Sequence, residues 1–272
     1  MIKIFVLASG RSGTKYLSEL FKNNTKNCVS RHEPFPDMFG KPIYWYQQGN
    51  IEEIRRQFIR KKKKIDSYNA DVYIETNHAF LKSFSDVAME FFPDMKLIHL
   101  IRNPLKVARS ELNRHLFLDK IHIPFRYYTG EDGERYFRWS LTGKEDIFQV
   151  VGINSLTLYQ KYVLSWIEIE NRAIRFLEKY KKYDDCYVLS TPKDLNDYRV
   201  LEDLFSFFNL KIKKRGIRMH GIRNRNPVST VVSEEDEKQF REVVNNLPSE
   251  YLKIFRKIPY TKFEWVKILK SR

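Results

Sequence analysis

Disulfide chemistry has little to work with in this sequence: its 272 residues include two cysteines, Cys28 and Cys186. Each sits in a short apolar run, which predicts buried, reduced thiols rather than a bridge, and a reducing compartment. Long apolar runs are missing too. No segment approaches the roughly 18–20 residues that a membrane span needs. The first apolar run, Ile2–Ala8, is too short for a secretory leader and leads straight into glycine punctuation, so a cytoplasmic protein is expected. The six histidines, at 32, 78, 99, 115, 122 and 220, show no paired spacing with cysteines or acids, and no metal site is expected. Internal repeats and linkers are absent, which predicts one domain over 1–272. Acidic excess is absent as well. Lys and Arg number 49 against 34 Asp and Glu, a formal charge of +15.

That charge favours anionic partners: nucleotides, phosphates, nucleic acid, acidic glycans or membrane surfaces. It does not choose among them. Hydrophobic residues make up 42% of the chain, enough to bury one sizeable core. With 31% charged residues this is the composition of a globular chain rather than a disordered one.

Five short segments read as strands: Ile2–Ala8, Asn27–Arg31, Asp71–Thr76, Lys96–Ile101 and Asp185–Ser190. The first and fourth are nearly continuous in apolar and β-branched residues, as in strands buried on both faces of a parallel sheet. Helical periodicity lies between and after them. Leu17, Leu20 and Phe21 mark the first helix; Ile51–Ile65 and Pro104–Leu116 follow. The longest spans about Ser155–Tyr180. Tyr198–Phe208 comes next, then Ser233–Asn246, which opens on a capping box at Ser233 and Asp236. The alternation predicts an α/β fold, an open and mostly parallel sheet flanked by helices. Residues 117–152 lack clean periodicity and include "FRYYTGEDGERYFRW". They read either as an insertion or lid over the sheet edge or as a surface excursion with its own cluster.

The first strand breaks into "SGRSGTK", and a helix begins at once. Gly10 and Gly13 permit positive φ and close backbone approach. Successive N–H groups there can converge on one anion, with the helix dipole aimed at the same place. Ser12 and Thr14 add hydroxyls, and Arg11 and Lys15 add charge. The Walker A pattern is not met. Ala8 stands five residues before Gly13, and Thr14 occupies the place of the lysine. The alternative is a plain glycine turn. "KLIHLIRNPLKVARSEL" repeats the logic: a buried strand ends, Arg102 stands at its tip, Asn103 caps a helix, and Pro104 suits its first position. Arg102 and the Ser110 hydroxyl can grip one phosphate, or they can be capping and a solvated arginine.

Taken together, "GRSGTKYL" and "IRNPLKVARS" resemble the 5′-phosphosulfate loop and the 3′-phosphate motif of the sulfotransferase superfamily, whose architecture is P-loop-NTPase-like. That resemblance implies 3′-phosphoadenosine 5′-phosphosulfate as sulfuryl donor and no metal. It implies that Gly10, Arg11, Ser12, Gly13, Thr14 and Lys15 hold the 5′ end. Arg102 and Ser110 would hold the 3′ phosphate. "RGIRMHGIRNRNP" falls where the family has a final donor-binding loop, which brings in Arg223 and Asn224.

Transfer also needs a neutralised leaving group, a role for Lys15 and Arg11, and a base for the acceptor hydroxyl or amine. Glu33, just after the second strand, and His78, just after the third, are the candidates, with Glu33 preferred. Their plain readings are an ion-pair partner and a packing residue, and His32 shares the latter. "RKKKK" at 60–64 reads as a solvated helix face or as a platform for an acidic glycan acceptor. Tyr127, Tyr128, Tyr136, Phe137 and Trp139 read as an acceptor wall or as packing. Two other classes stand beside the sulfotransferase: a P-loop-type kinase or nucleotide-dependent transferase, and a basic nucleic-acid-binding protein. The first lacks its lysine and an evident Mg²⁺-binding acid. The second lacks a motif, and its cations are scattered among acids along the whole length.

Overall fold

The computed structural model describes residues 1–153, 155–213, 216–219 and 231–267. The chain opens with β1 (Ile2–Leu7), α1 (Thr14–Asn24), β2 (Cys28–His32), α2 (Lys41–Gln47), α3 (Ile51–Asp66) and β3 (Val72–Thr76). A π-turn at Phe80–Phe84 leads into α4 (Ser85–Phe91), then β4 (Lys96–Arg102) and α5 (Pro104–Lys120). A small hairpin follows, β5 (Tyr127–Thr129) with β6 (Arg135–Phe137), then α6 (Asp146–Gln149) and α7 (Leu158–Lys179). The chain continues with β7 (Cys186–Thr191), α8 (Tyr198–Phe207), α9 (Glu234–Asn246) and two short 3-10 turns.

Five strands pair in the order β2-β3-β1-β4-β7, and every pairing is parallel. These are the five expected strands, each shifted by no more than a residue at its ends. Parallel pairing forces helical crossovers, and helices on both faces bury both sides of the central strands β3, β1 and β4. Along β1, Phe5 and Leu7 point to one side and Ile4 and Val6 to the other. The first side carries the larger core, with α3, α5, α7 and α9. Trp166 of α7 stacks on Phe255 there, with centroids 5.3 Å apart. The second side is covered by α1 and α8, where Phe21 stacks on Phe205.

The strand order reverses between β1 and β4: the chain leaves β1 toward β2 and leaves β4 toward β7. In open α/β sheets, ligands bind in the crevice beyond the carboxyl ends of the strands at such a reversal.

Three expectations change. Residues 117–152 are not one irregular excursion, because α5 runs on to Lys120. The hairpin and α6 then follow, and Leu141, Ile147, Phe148 and Val151 join the larger core. Tyr136 and Phe137 are buried, and Phe137 stacks on His115 at 3.9 Å. The cysteines are half-buried rather than fully buried, and both are free. They lie on the two edge strands, four strand spacings of about 4.8 Å apart, far beyond disulfide reach. Third, "RKKKK" is not a uniformly solvated face: Lys61 is 2% exposed and paired with Glu75. No helix among the described residues is long and apolar enough to cross a membrane.

Candidate active site

The turn after β1 is shaped by two left-handed residues, Arg11 at φ 61° and Gly13 at φ 98°. Gly13 is also the N-cap of α1 and lacks any side-chain cap bond, so the first N–H groups of that helix face outward. Gly10 leaves no room for a Cβ, which would lie 1.9 Å from Oε1 of Glu111. Ser12 is turned inward, its hydroxyl 2.8 Å from that of Ser9, while Thr191 donates to its carbonyl. The turn is therefore built from behind by hydroxyls and opened in front by backbone, Arg11, Thr14 and Lys15.

The second strand end comes to the first. Arg11 Nε donates to Ser110 Oγ at 3.0 Å, and Arg102 Nη1 donates to the Arg11 carbonyl. Asn103 caps α5 by accepting from the N–H groups of Leu105 and Lys106. That bond fixes where Arg102 leaves the sheet and where Ser110 faces, two turns along.

A cleft of about 230 Å³ opens in front. Its wall includes Arg11, Gly13, Thr14, Lys15 and Arg102 from the ends of β1 and β4, Glu33, His32 and His78 from the ends of β2 and β3, and Arg114 from α5. Ser110, Ser12 and Gly10 stand behind this wall. Arg223 and Asn224 lie outside the described residues. Burial lowers the pKa of both Arg11 and Arg102, and the neighbouring Arg11 lowers Arg102 further. Both remain charged at any physiological pH. Crowded guanidiniums with little water around them are relieved by an anion.

The two base candidates touch each other. Glu33 Oε1 lies 3.4 Å from His78 Nε2 and 3.6 Å from His32 Nε2. His32 Nδ1 donates to the carbonyl of Thr76 at 2.9 Å. His78 is fully enclosed: burial, then the Lys82 and Arg114 charges, holds its pKa well below the usual value of 6.5. Its Nδ1 lies 3.0 Å from Lys82 Nζ, which has only protons to offer. Nδ1 therefore accepts, and the ring proton sits on Nε2, the nitrogen 3.4 Å from Glu33 Oε1. A histidine in this state has no open lone pair with which to take a proton from a third group. Glu33 does, and burial raises its pKa against the opposing pull of His32, Arg114 and Lys82.

Three residues absent from the sequence reading complete the site. Arg114 lines the cleft and pairs with Glu111 at 2.7 Å. Its guanidinium also lies over the ring of Trp139, at 5.2 Å from the centroid. Glu111 backs Gly10, and Lys82 fixes the His78 tautomer. For two of them the signal was available as spacing: Arg114 is four residues beyond Ser110, on the same face of α5, and Lys82 is four beyond His78.

No protein-family model matches the chain, and no curated protein matches it in sequence. Among solved structures, a sulfotransferase domain from the curacin biosynthetic pathway aligns at 12% identity and a TM-score of 0.47, covering 98% of this chain and 95% of that one. A sulfotransferase from Alicyclobacillus acidocaldarius aligns at 14% identity and a TM-score of 0.47, covering 94% of this chain and 99% of that one. At these values the likeness carries no residue-by-residue correspondence.

Proposed function

We propose that the protein is a sulfotransferase that moves a sulfuryl group from 3′-phosphoadenosine 5′-phosphosulfate to a hydroxyl or amine acceptor. One observation carries the reading. The turn after β1 is bonded to α5 through Arg11 and Ser110 and to the end of β4 through Arg102, so two cationic strand ends line one cleft. Such a lining matches a ligand with anions at both ends of one nucleoside. The likeness of both strand-end sequences to the superfamily's two donor motifs supports the same ligand.

In this reading Arg11, Gly13, Thr14 and Lys15 hold the 5′ end of the donor and Arg102 holds its 3′ phosphate, while Ser110, behind the wall, accepts from Arg11 and orients it rather than gripping the phosphate itself. When bound, the donor supplies an activated sulfuryl group whose bond to phosphate breaks as the acceptor's oxygen or nitrogen bonds to sulfur. Glu33 takes the proton that the acceptor loses. Arg11 and Lys15 balance the charge that gathers on the departing phosphate. His78 directs Glu33 through its Nε2–H. The end of α3 stands beside the Glu33 loop, where Lys64 Nζ donates to the Phe35 carbonyl. This cationic surface suits an acidic acceptor such as a glycan.

The test is thermal unfolding with adenosine 3′,5′-bisphosphate, with ATP–Mg²⁺ and with an oligonucleotide. A ligand at 100 times its dissociation constant adds about 2.7 kcal/mol. Stabilisation by the bisphosphate without metal, together with transfer of label from sulfur-35 donor to an acceptor, is expected. Stabilisation by ATP–Mg²⁺ alone, or by the oligonucleotide alone, defeats the reading.

A further inference from the structure

We propose that the buried Lys61–Glu75 pair is a positioning device that sets the distance between Glu33 and His78. The inference rests on the role given to Glu33 above and adds residues that touch no substrate.

Lys61 and Glu75 are 2% and 0% exposed, and Lys61 Nζ lies 2.7 Å from Glu75 Oε1. A pair so deeply buried loses much of its Coulombic gain to desolvation, and well-packed apolar side chains often serve stability as well or better. Its bonds point elsewhere. Lys61 Nζ also donates to the carbonyl of Pro34, the residue after Glu33, at 3.2 Å. Glu75 Oε1 accepts a second bond from Asn77 Nδ2, at 3.0 Å, and Asn77 precedes His78. Tyr73 fills the other Glu75 oxygen at 2.7 Å. One carboxylate oxygen thus joins two arms, one ending beside Glu33 and the other beside His78. Asn77 Nδ2 also bonds the Asp37 carbonyl at 2.9 Å, so the loop that carries Glu33 is held at both ends. That loop needs holding, because Glu33 sits at φ 47°, a left-handed conformation that non-glycine residues rarely adopt. The charged and titratable groups facing Glu33 are His32 from β2, His78 and Lys82 from behind β3, Arg11 from the first turn, and Glu111 and Arg114 from α5.

The test is the double variant Lys61→Met/Glu75→Gln, which removes both charges at nearly constant volume and strands neither. It is expected to melt within a few degrees of the parent and to keep the parent's affinity for adenosine 3′,5′-bisphosphate. Turnover falls about 10–100-fold, as a misplaced reacting group predicts, and the acid limb of the rate–pH profile moves. Carbon-13 titration of the glutamate carboxyls, with Glu33→Gln identifying the Glu33 signal, shows a displaced Glu33 midpoint. A folded double variant with parental turnover and a parental Glu33 midpoint overturns the proposal. So does a loss of donor affinity in proportion to turnover. Should the double variant not fold, Asn77→Ser cuts the second arm without stranding a charge, and the same two readings decide. A parent protein that neither binds the bisphosphate nor transfers label defeats the sulfotransferase reading. The Glu33 titration then still decides whether the pair positions this carboxyl.

Discussion

Glu33 is held in a state that the fold does not favour. Burial raises its pKa above the usual 4.5, so the native protein binds this proton more tightly than the unfolded chain does. Stability therefore falls as pH rises from about 4.5 through the native value. Glu33→Gln should raise the melting temperature at pH 7, and the gain should vanish below about pH 4.5. Turnover should drop about 10²–10⁴-fold, the usual worth of a general base. Lys82 works in the opposite direction. Burial, partly offset by Glu111, lowers its pKa to about 8 from 10.5. Between those values the unfolded chain holds more protons than the native one, so stability climbs from about pH 8 toward 10.5. Melting curves of Lys82→Met over this range should lack the climb. Both effects come from the same enclosure that makes the site work.

At the scale of the element, the turn into α1 is the part least tolerant of change. Gly13→Ala places a Cβ at φ 98°, 3.2 Å from the side chains of Thr191 and Leu195. A left-handed non-glycine residue costs about 1–2 kcal/mol. Urea unfolding should register that loss, together with weaker bisphosphate binding by calorimetry. The long elements were legible from sequence. β1 and β4 are apolar on both sides because helices cover both sides, and Leu17, Leu20 and Phe21 do line up against β-strand residues. Short elements were not: α2 has seven residues, and β5 and β6 have three each, too few for a period to register. Composition misled at Lys61. The run "RKKKK" looks solvated, yet Ile54, Phe58, Lys61 and Ile65 are the buried positions of α3, one stripe with a cation set into it. Residues at strand ends were readable because topology puts them in the crevice. Arg114 and Lys82 lie a turn further along, where only side-chain direction decides what they face.

The molecule as a whole divides its apolar residues unequally across the sheet. Among the described residues, one face carries α3, α5, α7 and α9 together with the shorter α2, α4 and α6, and the α-helices of the other are α1 and α8. The turn after β1 belongs to the thinner layer, since α1 grows directly out of it. Amide hydrogen exchange should follow that division. Openings that expose α1 and α8 require less apolar surface to be wetted than openings of α5 or α7, so their amides exchange first. Occupation of the turn by adenosine 3′,5′-bisphosphate should then slow exchange chiefly within Thr14–Asn24 and Tyr198–Phe207, leaving Leu158–Lys179 close to its unliganded rate. Equal slowing on both faces would mean that the two layers open only together. The thinner layer would in that case add no local unfolding of its own, and ligand release would be coupled to rupture of the whole sheet.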